Sequence, residues 1–310
     1  MEERSLFDVL GLGVVAIDDV LHVQTYPSAN VKIPVLRRRQ RYVGGLTATA
    51  LMTVARLGCK SAYAGVLGDD ESSQYVEESF KQHGVDVTHL VHRPGARPVI
   101  STIVIDSENQ TRTIFYDPHG AVGADPELPD REIIGRSRVL FVDHYGIDGM
   151  IRAATIAREA NIPIVADFES ANRPRFSELL ALVDHLIVSH DFASSLTGVS
   201  HPAKAAEKLW TAARKVVVIT CGVDGAWYLA DSHGDSAQFQ SAFEVDTVDS
   251  NGCGDVFHGA YAATLALGLD VAERVRFASA TAALKAQQPG GPAGLPTYSD
   301  VELFLQDDQK

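Results

Sequence analysis

The second half of the chain alternates short apolar runs with longer amphipathic segments. Four of the runs are rich in Val, Ile and Leu and end on a polar residue, at 138–143, 162–167, 185–189 and 215–220. Helical patterns, at 148–160 and 202–214, separate them. Strands that are apolar on both faces and alternate with helices form a mostly parallel sheet that helices cover on both sides. The predicted fold class is therefore α/β.

Polar residues follow these strands, where a parallel sheet binds its ligands. We expect them to border a cleft, although each can equally act as a helix cap or turn residue. They are Asp143, His144, Tyr145, Asp167, Glu169, Ser189 and His190.

A glycine-rich turn precedes a helical pattern that runs to Gly268. Gly252, Cys253 and Gly254 leave room for backbone N–H groups to converge at the start of a helix, which is the geometry of an anion hole. The helix dipole favours the carboxylate of Asp255 and prepares it to accept a proton. A hydroxyl held between Asp255 and a phosphate on these amides is placed for phosphoryl transfer. The simpler alternative is that Asp255 only caps the helix.

Composition narrows the class of protein. The 310 residues, 45% of them hydrophobic, are enough for a single domain over 1–310. A net charge of −13 argues against nucleic-acid binding, and the basic residues at 37–39 are expected to lie on a solvated strand. Three scattered cysteines, Cys59, Cys221 and Cys253, predict neither a disulfide framework nor a zinc site. Because no signal-like start or long apolar segment occurs, we expect a soluble, cytoplasmic protein that does not bind membranes.

The first strand, at 7–15, contains Gly11-Leu-Gly13, which is similar to a dinucleotide-binding fingerprint. Residues 17–23 that follow have an extended rather than helical character. A dehydrogenase of the Rossmann type is therefore only a minor alternative.

Residues 249–255, Asp-Ser-Asn-Gly-Cys-Gly-Asp, resemble the Asp-Thr-x-Gly-Ala-Gly-Asp signature of the phosphofructokinase-B, or ribokinase-like, family of sugar and nucleoside kinases. The resemblance covers nearly the whole chain. It implies a ribokinase-like fold, with a central mostly parallel sheet, helices on both faces, and a small β-sheet lid formed by about 16–43 and 96–118. It also implies a kinase that uses ATP and Mg²⁺ to phosphorylate a hydroxyl of a small sugar.

The resemblance carries over to the sugar-binding residues. Gly44 and Gly45 match the start of the family motif Gly-Gly-x-x-x-Asn-x-Ala, and Thr49 stands at its Asn. Asp18 matches the family's hydroxyl-binding Asp, with Asp19 as the competing choice.

Some details resemble the sulfofructose kinase branch of this family, in which Lys32 matches a sulfonate-binding lysine. The branch's Asn and Arg fall near Tyr116 and Tyr145, which cannot pair with a sulfonate as a guanidinium does. We therefore expect a neutral sugar.

The nucleotide and cation residues are also implied by the resemblance. Thr220, Gly222 and Gly225 match a segment that lines the nucleotide phosphates, although the glycines can equally turn a strand hairpin. Ala283 and Gly290 are assigned to the same nucleotide, and Asp249 to a monovalent cation site, for K⁺, shared with carbonyls of the closing loop 289–296. Residues 189–192, Ser-His-Asp-Phe, replace the family's magnesium-positioning Asn-x-x-Glu. Asp191 or Glu169 substitutes, or the ATP phosphates hold Mg²⁺.

Two alternatives remain open. A nucleoside kinase has the same fold, and a sugar sensor without turnover would agree with the missing Asn-x-x-Glu pair. Because exposed lid strands gain by pairing their edges, we expect a homodimer through these strands.

Overall fold

The computed structural model describes residues 6–109, 111–231 and 236–308. Gln110 in the predicted lid, and the remaining residues of the predicted 1–310 domain, lie outside them. The strands are β1 (Phe7–Leu12), β2 (Ala16–Val23), β3 (Gln40–Gly44), β4 (Ser61–Tyr63), β5 (Val66–Leu67), β6 (Val85–Asp86), β7 (Val91–His92), β8 (Val99–Asp106), β9 (Thr111–Asp117), β10 (Ser137–Val142), β11 (Ile164–Asp167), β12 (His185–Ser189), β13 (Val216–Thr220), β14 (Gly225–Ala230) and β15 (Gln238–Ser241). The helices are α1 (Leu46–Arg56), α2 (Glu71–Gln82), α3 (Arg131–Gly135), α4 (Ile147–Glu159), α5 (Phe176–Leu182), α6 (His190–Thr197), α7 (Pro202–Leu209), α8 (Cys253–Ala266), α9 (Val271–Ala286) and α10 (Tyr298–Asp307).

A nine-stranded sheet forms the centre of the molecule, in the order β15-β14-β13-β12-β11-β10-β1-β4-β6. The strands from β13 to β6 are parallel, and β14 and β15 pair antiparallel at one edge. Side chains alternate across this sheet: Val139 and Phe141 of β10 pack into one apolar cluster with α1, α8 and α9, while Leu140 and Val142 pack into another with α4 to α7. The predicted α/β fold, with helices on both faces, is confirmed.

A separate four-stranded sheet, called the small sheet below, has the order β3-β2-β8-β9. Strands β2 and β8 are parallel, and the outer pairs are antiparallel. This confirms the predicted small sheet, but residues 24–39 between β2 and β3 form no strand, contrary to the expectation for that region. Pro27 and Pro34 lie in this segment, and proline removes an N–H that a ladder needs. A role of the small sheet as a lid stays a prediction.

Helix α7 is shorter than the sequence predicts. Helix α7 ends at Leu209 rather than 214, and the buried guanidinium of Arg214 instead donates to the carbonyls of Leu209 and Leu180 at 3.0 and 2.5 Å. Strand β1 leads into strand β2, not into a helix, so the dinucleotide-binding turn is absent at Gly13. No helix in the described part of the chain is long and apolar enough to cross a bilayer.

Candidate active site

A cavity of about 720 Å³ lies between the carboxyl edge of the large sheet and the small sheet. The small sheet contributes residues such as Asp18 and Tyr116, the loops after β10 and β11 contribute Tyr145 and Glu169, and the start of α8 contributes Asp255. The predicted site residues that line this cavity are Asp18, Gly44, Gly45, Thr49, Tyr116, His144, Tyr145, Glu169, Asp249, Gly252, Gly254, Asp255 and Gly290. Residues that are far apart in the sequence therefore meet at the carboxyl edge of the parallel sheet, where the sequence predicts a cleft.

The start of α8 forms one wall of the cavity. Gly252, the residue before the helix, has a φ of 76°, a left-handed conformation that favours glycine. A Cβ built on Gly254 meets no atom within 4 Å, so this residue faces open space. The amide of Cys253 instead donates to the carbonyl of Ser250 at 3.3 Å, and Cys253 does not line the cavity. Of the three residues predicted to form an anion hole, only Gly252 and Gly254 line the cavity, and the anion hole stays a prediction.

Asp255 lies in the first turn of α8 and lines the cavity. Burial raises the pKa of its carboxyl well above the ordinary value, and the negative charges of Asp167, Glu169 and Asp18 raise it further. Lys285 acts in the opposite direction. A carboxylate whose conjugate acid is weakened in this way accepts a proton more readily, which suits a general base.

His258 lies one turn after Asp255 and ties the start of α8 to the large sheet. Its Nδ1 is 2.8 Å from the carbonyl oxygen of Gly254, and its Nε2 is 3.0 Å from that of Ile187 in β12. The buried carboxylate of Asp167 lies 3.4 Å from the same Nδ1. The ring of His258 therefore connects the start of α8 to β12 and lies beside Asp167 of β11.

The raised pKa of Asp255 predicts a pH dependence of turnover. Since Asp255 must be ionised to accept a proton, the rate should rise with pH through a midpoint well above the ordinary aspartate pKa of about 4. Glu169→Gln removes one of the negative charges that raise this pKa, so the midpoint should move to lower pH. Rate profiles of the wild type and this variant test the effect, with Glu132→Gln on the exposed surface of α3 as the control. Identical profiles for Glu169→Gln and the wild type would contradict it.

Asp18 and Asp19 occupy opposite faces of β2. The carboxylate of Asp18 lines the cavity and lies against Gly44, where an added Cβ would be 2.2 Å from its Oδ2. Burial raises the pKa of Asp18 to about 6, although a hydrogen bond from Ser101 opposes the shift. Asp19 instead forms a two-point ion pair with Arg41, at 2.9 and 2.6 Å, and does not line the cavity. The geometry therefore favours Asp18 over Asp19.

The two glycines before α1 bring this helix close to the start of α8. Gly45 has a φ of 92°, and a Cβ on it would lie 2.8 Å from the backbone nitrogen of Ala16, so a side chain has no room there. One turn later, the methyl group of Thr49 lies 3.7 Å from the position of a Cβ built on Gly252. The starts of α1 and α8 therefore converge on the same part of the cavity.

Two arginines also line the cavity, and the sequence reasoning missed both. The guanidinium of Arg173 lies 4.9 Å from the centre of the Tyr145 ring, in a cation–π contact. Arg112 of β9 reaches across to the turn before α8, where its Nη1 donates to Ser250 Oγ at 3.3 Å. Neither arginine lies in a recognisable motif, so no local signal could have identified them.

Several predicted residues are not brought into the cavity. Lys32 is exposed in the segment between β2 and β3, and Ala283 is partly buried within α9. Thr220, Gly222 and Gly225 lie at the turn between the antiparallel strands β13 and β14. The glycines therefore turn a strand hairpin, which was the simpler of the two alternatives. A nucleotide role for these residues stays a prediction.

The four residues that replace the Asn-x-x-Glu motif have structural contacts of their own. Ser189 Oγ accepts from the amide of Phe192 and caps α6, and His190 Nε2 lies 2.6 Å from the carbonyl oxygen of Ser200. Phe192 is buried with its ring edge-on to Phe176, and Asp191 is exposed. None of the four lines the cavity, contrary to the expectation for Ser189 and His190.

Asp143, the first of the polar residues that follow the strands, has a structural role. Its fully buried Oδ2 accepts from the amide of Val14 at 2.6 Å and from Thr47 Oγ1 at 3.0 Å, and its Oδ1 accepts from the amide of Tyr145 at 2.8 Å. The carboxylate joins the loop after β1, helix α1 and the loop after β10. Asp143 is therefore a turn residue, which was the alternative to a role in the cleft.

An aspartate in the first turn of a helix that lines a cavity together with Gly252 and Gly254 is the arrangement expected of a phosphotransferase that acts on a hydroxyl group. The chain belongs to the pfkB family of carbohydrate kinases, because the model of that family matches residues 13–298. The family and the kinase activity predicted from the sequence are thus confirmed.

Individual relatives are distant in sequence. The 5-dehydro-2-deoxygluconokinase of Shouchella clausii is 24% identical over 99% of this chain and 98% of its own length. Fructokinase-1 of Zea mays is 29% identical over 85% of this chain and 88% of its own. The structure of Arabidopsis thaliana ribokinase, solved with ribose and ATP, superposes with a TM-score of 0.84 at 22% identity, over 97% of this chain and 99% of its own. The protein is an ATP-dependent sugar kinase with a ribokinase-like fold.

Proposed function

We propose that this kinase transfers the γ-phosphoryl group of ATP to a hydroxyl of a small sugar, with Asp255 as the general base. The observation that carries this proposal is that Asp255, Gly252 and Gly254 line one cavity. Asp18, Gly44 and Gly45 line the same cavity from the opposite side and offer a carboxylate and close backbone approach to sugar hydroxyls.

In this mechanism the sugar hydroxyl lies between Asp255 and the terminal phosphate of ATP. Asp255 accepts the hydroxyl proton as the oxygen attacks phosphorus, and the bond to the bridging oxygen of ADP breaks. The amides of Gly252 and Gly254, at the positive end of α8, stabilise the charge that develops on the transferred group. The cavity walls position the sugar and exclude water, which would otherwise compete as the acceptor.

Magnesium belongs to this proposal as the ion that neutralises the phosphate oxygens of ATP. The described residues contain no group of three or more His, Cys, Asp or Glu side chains that could hold a metal by themselves. Glu169 lines the cavity and fits an ion that keeps most of its water and uses few protein carboxylates, whereas Asp191 lies outside it. Glu169 is thus the residue proposed to contact a magnesium-bound water.

A neutral sugar stays the expectation for the substrate, since Tyr116 and Tyr145 both line the cavity. Arg173, which lies beside Tyr145, and Arg112 also line the cavity and could instead pair with an acidic sugar. We therefore propose measuring ATP consumption with matched neutral sugars and sugar acids, together with adenosine. Sugar-dependent turnover that is fastest with a neutral sugar is expected. Preference for the acids would reject the neutral class, preference for adenosine would favour a nucleoside kinase, and binding without turnover would favour a sensor.

The homodimer and the cytoplasmic location predicted from the sequence also stay proposals. Strand β9 is at the edge of the small sheet, and its Phe115 and Tyr116 are 54% and 63% exposed. Exposed apolar side chains on an edge strand favour pairing with a second copy. The mass of the protein in solution decides between monomer and dimer.

A further inference from the structure

A buried lysine, Lys285, binds the turn that precedes α8 and also lines the cavity. Lys285, next to the last residue of α9, is only 2% exposed. Its Nζ donates to the backbone carbonyl of Asp249 at 3.0 Å and also to that of Asn251. A buried ammonium group is stable only when acceptors replace its lost water, and here two main-chain oxygens do so.

The same end of α9 holds this turn through its backbone. The amides of Val248 and Asp249 donate to the carbonyl of Ala286 at 2.8 and 3.0 Å. The carboxylate of Asp249 in turn accepts from the amide of Asn251 at 2.8 Å. The chain that leads into Gly252 is therefore fixed to α9 by main-chain bonds and by the side chain of Lys285.

This arrangement disagrees with the monovalent cation site that the family resemblance implies at Asp249. The carboxylate of Asp249 does face the closing loop, because a Cβ built on Gly290 would lie 2.6 Å from its Oδ2. However, the carbonyl of Asp249 already binds the Lys285 ammonium, which carries the same charge as K⁺. A second cation on that oxygen would meet like-charge repulsion in a buried place, where screening is weak.

We propose that Lys285 acts as a built-in cation that holds the turn at 249–254 in its anion-binding shape, so that the enzyme does not require K⁺. Lys285 is a positioning residue, since its ammonium binds the main chain of the turn. Its positive charge also favours the anionic forms of the groups beside it, Asp255 among them. This inference rests on the proposed kinase function.

The direct test measures sugar-dependent ATP turnover in potassium, sodium and choline chloride at equal ionic strength. The wild type should work equally well, within about twofold, in all three salts. Lys285→Ala should lose about tenfold or more in choline, because two charge-assisted hydrogen bonds are lost, and potassium or ammonium ions should restore part of the rate. Lys208→Ala is the matched control, since Lys208 also donates to a main-chain carbonyl, that of Thr197 at 2.6 Å, but does not line the cavity.

A second readout does not depend on turnover. Potassium should leave the melting temperature of the wild type unchanged and raise that of Lys285→Ala, because an ion that binds only the folded form stabilises it. This measurement stays informative if no sugar is phosphorylated, which would reject the proposed function alone. A wild-type rate that falls about tenfold or more without potassium would overturn the inference, and this test needs no variant. A Lys285→Ala protein with the full rate in choline, or a folded one that no cation rescues, would also contradict it.

Discussion

Asp255→Asn should lower turnover by about 10²–10⁴-fold while leaving the affinity for the sugar nearly unchanged. The substitution keeps the shape of the side chain and one of its oxygens, so the sugar hydroxyl can still bind. It removes the group that accepts the proton as the hydroxyl attacks. Because this loss occurs only in the transition state, it lowers kcat and leaves the contacts of the bound sugar in place. Steady-state kinetics and sugar binding, measured on the same preparation, separate the two effects.

The matched control for this variant is Asp191→Asn. Asp191 also lies in the first turn of a helix, α6, but is exposed and does not line the cavity. If Asp255→Asn lost activity only because it weakened the start of its helix, Asp191→Asn should lose activity in the same way. Full activity of Asp255→Asn would contradict the assignment of Asp255 as the base.

The same substitution should not destabilise the protein at neutral pH. The pKa of Asp255 is raised in the folded state, so the folded protein binds this proton more tightly than the unfolded chain. The stability that this proton binding provides is complete at low pH and is lost as pH rises through the raised pKa. Above that pH the ionised carboxylate opposes folding, and Asn removes this cost. We therefore expect Asp255→Asn to have a melting temperature equal to or above that of the wild type, as is common when an active-site group destabilises the folded state.

The fold was predictable because it depends on local patterns. Runs of Val, Ile and Leu that end in polar residues predicted the parallel strands, and a glycine turn followed by small apolar residues predicted α8. The same patterns could not separate Asp18 from Asp19. Neighbours on a strand face opposite sides, and the sequence of β2 does not say which side meets the cavity.

The contacts that the sequence did not predict join residues far apart in the chain. Lys285 and Asp249 are 36 residues apart, and Arg112 and Ser250 are 138 apart. Such pairs depend on how whole elements pack, which no local pattern contains. The residues that replace the Asn-x-x-Glu motif are a further example. The sequence indicated that Phe192 cannot bind water as Glu does and left Asp191 as a candidate, but only the structure shows that Phe192 packs against Phe176 and that Asp191 does not line the cavity.

The second large effect concerns the buried carboxylate of Asp143 and the stability of the fold. Asp143→Ala should lower the free energy of unfolding by about 3–5 kcal/mol, because it leaves three buried donors without their acceptor. These donors are the amides of Val14 and Tyr145 and the hydroxyl of Thr47. The hydroxyl can turn towards the carbonyl of Leu12, 3.4 Å away, but the two amides have fixed directions. Water cannot easily replace the carboxylate, since Asp143 is fully buried.

Burial raises the pKa of Asp143 to about 7, and the hydrogen bonds from Tyr145, Val14 and Thr47 oppose a larger shift. Because the folded protein holds this proton more tightly than the unfolded chain, the carboxyl contributes most to stability below about pH 7, and this contribution falls as pH rises through that value, so denaturant unfolding should be measured at about pH 6. Asp86→Ala is the control, because Asp86 lies at the end of a strand, as Asp143 lies directly after one, but is exposed and accepts from the amide of Thr88 at 2.7 Å. That variant should lose about 1 kcal/mol or less. If Asp143→Ala lost no more than the control, the carboxylate would not be what joins the loop after β1, helix α1 and the loop after β10, and the position of the cavity walls would need another explanation.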